Sequence, residues 1–373
     1  MTAPASLNEL VPGRALPNPL RGEGRVGWLM AGPVILLLLT FLVIPFVMAF
    51  VLAFTNQRLI SPNPTEFVGG QNFARLLTVR LLTLEPAVDP ASGSPARDPQ
   101  GNLTYPRVRD FTRNNPAYPE LDGLQEFVSF GIGTTKVEVL AGDAVFIRSL
   151  INTIVFTLVI VPVQGAFGLL LALLVNRRSR GVNVFRTIYF IPVVMSMVVI
   201  SILWRFIFSP QNGMLNSILG TISLGAIEPI DWLGNPTTSL PAVMLMSIWQ
   251  AVGFHMVIWL AGLQTIPTSL YEAAALDGAG RWAQFQHVTW PGLRNTSIFV
   301  FITITIAAFG LFTQIDVMTR GGPLDSTSTV IFQAVQQGFR KQDIAYGAAI
   351  SVVFFVLVLV VALVQRRLTR EKG

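Results

Sequence analysis

Two stretches of this 373-residue chain carry small and polar side chains at helical spacing inside otherwise apolar runs. Thr303, Ala307, Gly310 and Gln314 recur at i, i+4, i+7 and i+11, which places them on one face of a helix. Ser247, Gln250, Ala251 and Phe254 share a face in an earlier run. Hydroxyl, amide and aromatic groups on such faces suit hydrogen bonding and stacking with a polar solute passing between helices. The same residues also suit helix–helix packing, and spacing alone leaves both readings open. Acid–base and metal chemistry are poorly supplied. His255 and His287 are the only histidines, and neither has a second ligand at metal spacing. His255, in mid-run, reads as a packed, hydrogen-bonded side chain rather than a proton relay. Asp316 falls near the end of its run, where interfacial water would meet it. Cysteine is absent, so there is no disulfide, thiolate metal site or cysteine nucleophile.

A second device is the stretch "IPTSLYEAAALDGA", residues 266–279. Ser269-x-x-Glu272 fits a capping box, which predicts a helix starting just after Pro267. Ala273, Ala274 and Ala275 give it strong propensity and a flat, small surface. Gly278 and Gly280 end it, and 282–288 forms a second short helix stopped by Pro291. Such an element can lie in a groove of another protein, with Glu272 and Asp277 bonding at its ends. It also fits an ordinary interfacial helix that closes a loop.

These groups need elements to position them, and composition says which. The chain is 52% hydrophobic and 12% charged, against about 25% charged in a soluble domain. Six apolar runs, at about 28–54, 146–175, 184–208, 240–263, 297–317 and 344–364, are each long enough for a membrane-crossing helix. The fold class is an all-α integral membrane protein of six transmembrane helices. The first run far exceeds a signal-peptide core of about 7–15 residues and reads as a retained span. Pro33, Pro45 and Pro162 predict kinks rather than breaks.

The net charge of +6 does not point to nucleic acid, because the basic residues cluster at span ends. Arg14, Arg21 and Arg25 precede the first run, and Arg177, Arg178, Arg180 and Arg186 surround the second-to-third connection. Arg281 and Arg294 lie between the fourth and fifth runs. Arg366, Arg367, Arg370 and Lys372 follow the last. The segment 209–239 holds Glu228 and Asp231 but no Lys or Arg. The positive-inside rule then predicts cytoplasmic termini and a cytoplasmic 264–295 loop. Arg320, Arg340 and Lys341 run against this pattern. The chain divides into a cytoplasmic tail (1–27), a first helix (28–54), an external segment (55–145), a transmembrane core (146–364) and a second cytoplasmic tail (365–373). Within the external segment "EPAVDPASGSPARDPQGN" reads as coil. "EFVSFGIGTTKVEVL" alternates like a strand, with Val137 and Val139 opposite Lys136 and Glu138, so a small β element is expected.

The string "EAAALDGAGRWAQFQHVTWP" resembles the EAA loop of permease subunits of ATP-binding-cassette importers. "IPTSLYEAAALDGA", with "TRGGPLDSTSTVI" after the fifth run and "FVGGQNFARLL" after the first, is similar to the carbohydrate-uptake, maltose-permease-like branch. The resemblance covers the six spans and their connections but not about 78–140. It implies the type I importer permease fold in the cell (inner or plasma) membrane. It implies that Glu272, Ala273, Ala274, Asp277, Gly278 and Ala279 form a coupling helix seated in a separate ATPase subunit. Partners would be a second permease, two ATPase copies, an extracytoplasmic sugar-binding protein and membrane lipid. No cofactor is implied on this chain; ATP and Mg would sit on the ATPase subunits. That agrees with the lack of any G-x-x-x-x-G-K-[ST] string to cradle phosphates. The resemblance also implies that Ser247, Gln250, Phe254, Thr303, Ala307 and Gln314 line the substrate pathway. Ala307, Ala308 and Leu311 stand where maltose permeases are more polar, which shifts sugar hydrogen bonding toward the partner permease.

Other functions make different demands. A permease of the same superfamily for another solute, such as a glycerol phosphate or an opine, would share every feature above. A secondary transporter calls for inverted repeats with paired ionisable residues near the midplane. A membrane-embedded enzyme needs a convergent acid, base or metal set. Neither pattern is present in the sequence.

Overall fold

The computed structural model describes residues 23–89, 93–176 and 181–369. Arg14, Arg21, Arg177, Arg178, Arg180, Arg370 and Lys372 lie outside these residues, as does the side chain of Arg25. The chain divides into two units at Val51 and Leu52.

The first unit is the apolar helix α1 (Gly27–Leu52), 26 residues long. At 1.5 Å per residue it exceeds the roughly 30 Å of bilayer hydrocarbon. A π-helical stretch, Leu39–Val43, lies just before Pro45. Pro45 offers no N–H to the carbonyl four residues back and its ring crowds that carbonyl; the widened turn absorbs both effects. The helix therefore continues past both prolines, as expected.

The second unit begins with an extramembrane portion. Helix α2 (Gln71–Leu77) is followed by β1 (Val79–Leu84), β2 (Gln125–Ile132) and β3 (Thr135–Ala141), which form an antiparallel sheet in the order β1-β3-β2. Alternation along β3 is as expected, yet the face that turns inward carries Glu138 and Leu140 rather than Val137 and Val139. The cause is the intervening chain. Val108 and Leu121, with Tyr105, Phe111 and Leu124, cover that face and bury Leu82, Leu84 and Leu140. Glu138 is tolerated there because Lys136 reaches it at 2.7 Å.

The membrane bundle follows. Helix α3 (Ala144–Val175) opens with Asp143 accepting the Phe146 N–H at 2.9 Å. It runs through Pro162 without interruption. Next come α4 (Val182–Val194), α5 (Met197–Ile207), α6 (Met214–Ile222) and α7 (Ser239–Gln264). Beyond these lie α8 (Thr268–Leu276), α9 (Arg281–Gly292), α10 (Arg294–Phe309) and α11 (Thr313–Met318). The series closes with α12 (Val330–Val335) and α13 (Ile344–Thr369). Among the described residues four helices are long and apolar enough to cross a membrane alone, and six spans result when each bent pair counts as one. The core is the contact of α3 with α7, closed by α10; Phe156, Met246, Met256, Trp259, Val300 and Ile304 are buried in it.

Three expectations change. The run 184–208 is two helices bent by 102°, because Met195 and Ser196 adopt extended backbone just after Pro192. Packing fixes the first half: Tyr189 lays its carbonyl so close to Gly253 of α7 that any Cβ there would collide with it. The run 297–317 also breaks. Helix α10 ends at Phe309, and the Leu311 carbonyl is taken by the Thr329 hydroxyl at 2.8 Å instead of by a helical N–H. Finally, α13 continues to Thr369, so the expected tail 365–373 begins as helix.

Candidate functional site

Helix α8 is short, and its ends decide its shape. The expected capping box does not form. The helix starts just after Pro267, at Thr268, but with Pro267 rather than Ser269 at the N-cap and no side-chain cap. Pro267 gives its carbonyl to the Leu270 N–H at 3.2 Å. Ser269 is thereby drawn inside the first turn, where its hydroxyl no longer occupies the capping position. The C-terminus matches expectation. Gly278 has φ +76°, its N–H reaches the Ala275 carbonyl at 3.1 Å, and the Ala279 N–H reaches the Ala274 carbonyl at 2.9 Å. This paired closure needs a left-handed residue, which glycine supplies without Cβ strain.

Gly280 then leads into α9. Pro291 does not stop that helix: a π-helical stretch, Phe285–Thr289, widens the turn ahead of it, and the chain bends by 69° only before α10. The inner side of the α8–α9 pair is anchored. Ile266 and Leu293 are buried in the bundle core, with Tyr271, Phe285 and Val288 packed on it. The outer side is bare. Glu272, Ala273, Asp277 and Gly278 are exposed, Ala274 and Ala279 half-buried, and Leu276 is 90% exposed. Trp282, stacked on Phe285 at 5.5 Å, is exposed as well. The braced pair thus exposes two large apolar side chains, Leu276 on α8 and Trp282 on α9.

The pathway residues are gathered only in part. Ser247 is buried and donates to the Val243 carbonyl at 2.8 Å, so its hydroxyl serves its own helix. Gln250 is half-buried and Phe254 exposed, together on the side of α7 away from the core. Thr303 and Ala307 lie on α10, the threonine bonding back to the Phe299 and Val300 carbonyls at 3.0 and 2.9 Å. Gln314 is on α11, beyond the break at 310–312, so the four-residue stripe read from the sequence is not one helical face.

Residues 164–372 match the model of a family described as binding-protein-dependent transport system inner membrane components. The chain belongs to this family. The permease is 31% identical over 285 residues to the diacetylchitobiose uptake permease of Streptomyces coelicolor, covering 74% of this chain and 78% of that protein. It is 36% identical to the lactose transport permease of Rhizobium radiobacter, covering 64% and 81%. The sn-glycerol-3-phosphate transport permease of Yersinia enterocolitica is 30% identical, with 65% and 81% covered. The fold matches a chain of a bacterial transporter that imports the acidic polysaccharide alginate, with a TM-score of 0.67 at 20% identity. That match covers 95% of this chain, so it includes most of the external segment that the sequence motifs left out. The permease is thus a multi-pass inner membrane protein of a binding-protein-dependent ABC importer, and a subunit class that lacks an ATPase domain.

The two histidines and Asp316 have partners within the permease. His255 is 3% exposed and its Nδ1 lies 2.8 Å from Gln164 Nε2. Asp316, expected to touch substrate or meet interfacial water, is partly exposed and forms an ion pair with Arg340. That pairing also neutralises one of the cations that ran against the charge pattern. His287 bonds back to the Ala283 carbonyl at 3.0 Å. Among the described residues no cluster of His, Cys, Asp or Glu is placed to hold a metal ion.

Sequence reasoning missed a buried network at the end of the bundle opposite α8. The string "TRGGPLDSTSTVI" was read only as a family mark. Ser328 is fully buried, bonds to the Ser149 hydroxyl at 2.9 Å and accepts from Gln333 at 2.9 Å. Asn152 donates to the Asp325 and Ser328 carbonyls, each at 2.9 Å, and Ser326 reaches Ser239 at 2.9 Å. This loop ties α3, α7 and α12 together, and full satisfaction is what makes such buried polarity affordable. The signal was present: five hydroxyl or carboxyl residues in a row between apolar segments.

Proposed function

We propose that the permease is one of two membrane subunits of an importer for a sugar or oligosaccharide, driven by two separate ATPase subunits that bind ATP and Mg. In this reading both termini and α8 are cytoplasmic, and the 55–145 segment is extracytoplasmic, where it guides a solute-loaded binding protein. The observation that carries it is α8 itself: a helix closed at Gly278, tied to the core on one side and bare on the other. Such an element transmits motion between a partner and the spans, because it cannot shift without moving Ile266 and Leu293 in the core.

The solute class rests on the relatives and on pathway chemistry. Those matched include permeases named for lactose, diacetylchitobiose, trehalose and maltose, and xylose and arabinose, with one named for sn-glycerol 3-phosphate. Gln250, Phe254, Thr303, Ala307 and Gln314 are all uncharged, and the Gln250 and Gln314 amides have no hydrogen-bond partner among the described residues. Neutral amides and a ring suit sugar hydroxyls better than a phosphate dianion, which calls for Arg or Lys. The test is co-expression with the candidate ATPase, second permease and binding protein. Copurification of all membrane-side subunits, and uptake of a sugar in preference to glycerol 3-phosphate, is the expected result. Uptake of glycerol 3-phosphate alone would overturn the sugar reading, and failure to copurify an ATPase would overturn the importer assembly.

A further inference from the structure

A cleft of about 690 Å³ opens at the end of the bundle opposite α8, between α5, α11 and the loops that follow them. Its size falls within the roughly 300–1,000 Å³ typical of small-molecule sites. One wall carries Arg205, an exposed charge in the last turn of α5, at the end of the third apolar run. Its single hydrogen bond among the described residues is a long one, 3.4 Å to the Val317 carbonyl, leaving the rest of the guanidinium fork open. Another wall carries Asp231, whose Oδ1 accepts the Gly234 N–H at 2.8 Å while Oδ2 has no hydrogen bond. No ion pair joins Arg205 to Asp231. Phe206 presents its ring, 73% exposed, and Thr319 adds a hydroxyl bonded to Thr327 at 2.7 Å.

A cation fork and a carboxylate held apart in one cleft neutralise each other's field without consuming each other's hydrogen bonds. That set rejects a strongly charged solute of either sign. It suits a ligand with adjacent hydroxyls that donate to Asp231 and accept from Arg205, with a flat apolar face for the Phe206 ring. A pyranose has both. We propose that this cleft is a sugar vestibule that catches the solute before it enters the α7–α10 pathway. The proposal rests on the sugar reading above and deepens it.

The experiment uses the complete importer in proteoliposomes with its binding protein, and four probes: lactose, maltose, trehalose and diacetylchitobiose. Binding of each probe to the binding protein is measured first. The readout is then ATP hydrolysed per sugar imported, for the native chain, Phe206→Leu and Asp231→Asn. Asp231→Asn keeps size and shape, Phe206→Leu stays apolar at an exposed position, and assembly is checked on the same purified complex. The expected result is a rise in that ratio of about threefold or more, no larger than weakening one hydrogen bond to a charged group (Asp231→Asn) or losing one ring contact (Phe206→Leu) amounts to. The rise should differ in size among the sugars that the binding protein accepts. If the binding protein holds none of the four, the sugar reading fails and the vestibule with it. If it holds one and the ratio stays unchanged in both variants, the vestibule alone is wrong. If uptake and stimulated ATP hydrolysis fall together, equally for every sugar, the cleft takes the binding protein rather than its cargo, which also overturns the proposal.

Discussion

The Tyr271 hydroxyl lies 3.0 Å from the Thr289 hydroxyl, joining α8 to the π-helical part of α9. Thr289 is buried, so this bond ties the inner side of α8 to the bundle, whereas Glu272 and Leu276 face outward. Tyr271→Phe keeps the ring packing and removes the bond, a loss of about 0.5–1.5 kcal/mol. The expected outcome is normal insertion with transport reduced by no more than about tenfold. Tyr271→Ala, which also removes the packing, should reduce it further. Uptake assays normalised to permease level check the order; a phenylalanine variant as damaged as the alanine one would show that the hydroxyl, not the ring, holds α8.

At Gly253 the Tyr189 carbonyl of α4 lies directly against the backbone of α7. Gly253→Ala forces its methyl group against the Tyr189 carbonyl, and overpacking of this kind costs about 1–3 kcal/mol. Purified Gly253→Ala should melt at a lower temperature than the native chain. Gly220→Ala is the control: nothing lies within 4 Å of a Cβ there, so its melting point should not fall.

Arg340 and Asp316 are both partly exposed, and such pairs contribute about 0–1 kcal/mol. Arg340→Gln should therefore lower the melting temperature only slightly, and less at high salt than at low salt. The exchange of both residues, Asp316→Arg with Arg340→Asp, should recover the loss. A large loss that the exchange does not recover would mean that Asp316 has a role beyond this pair.

The 55–145 segment has a natural excision point. The Ala87 N–H donates to the Thr104 carbonyl at 2.8 Å, so residues 88–103 can be removed and the chain rejoined across an existing contact. That excision should leave assembly intact and weaken stimulation of ATP hydrolysis by the binding protein. Removing 86–119 instead strips Val108 and Phe111 from the sheet and should lower the yield of folded permease. Unchanged stimulation after the shorter excision would make residues 88–103 a dispensable insertion.

Much of this was legible in the chain. Long apolar runs marked the segments that form the crossing helices, four alone or six with each bent pair counted as one among the described residues, because a bilayer demands length and apolarity of every crossing helix. Gly278 marked the end of α8 because a left-handed closure needs glycine. The failures share a cause. The bend at Met195, the break after Phe309 and the inward face of β3 are set by what packs on each element, which periodicity within one segment does not carry. Ser269 failed as a cap because Pro267 had already fixed where the helix begins. Arg205 was overlooked although a lone charge in an apolar run was visible in the sequence, and the open guanidinium fork gives it meaning only beside Asp231.

The most direct test of the coupling assignment is ATPase copurification and solute uptake for Glu272→Lys and Gly278→Trp, each normalised to inserted permease. Glu272 caps nothing within α8, so a lysine there leaves the helix termini unchanged and reports on contact with a partner. A Cβ at Gly278 meets nothing within 4 Å, so the backbone cost of a tryptophan there is the strain of φ +76°, about 1–2 kcal/mol. The expected result is that both variants insert and pair with the second permease while ATPase copurification and uptake are lost. Wild-type levels of both in either variant would contradict the assignment of α8 as the coupling helix.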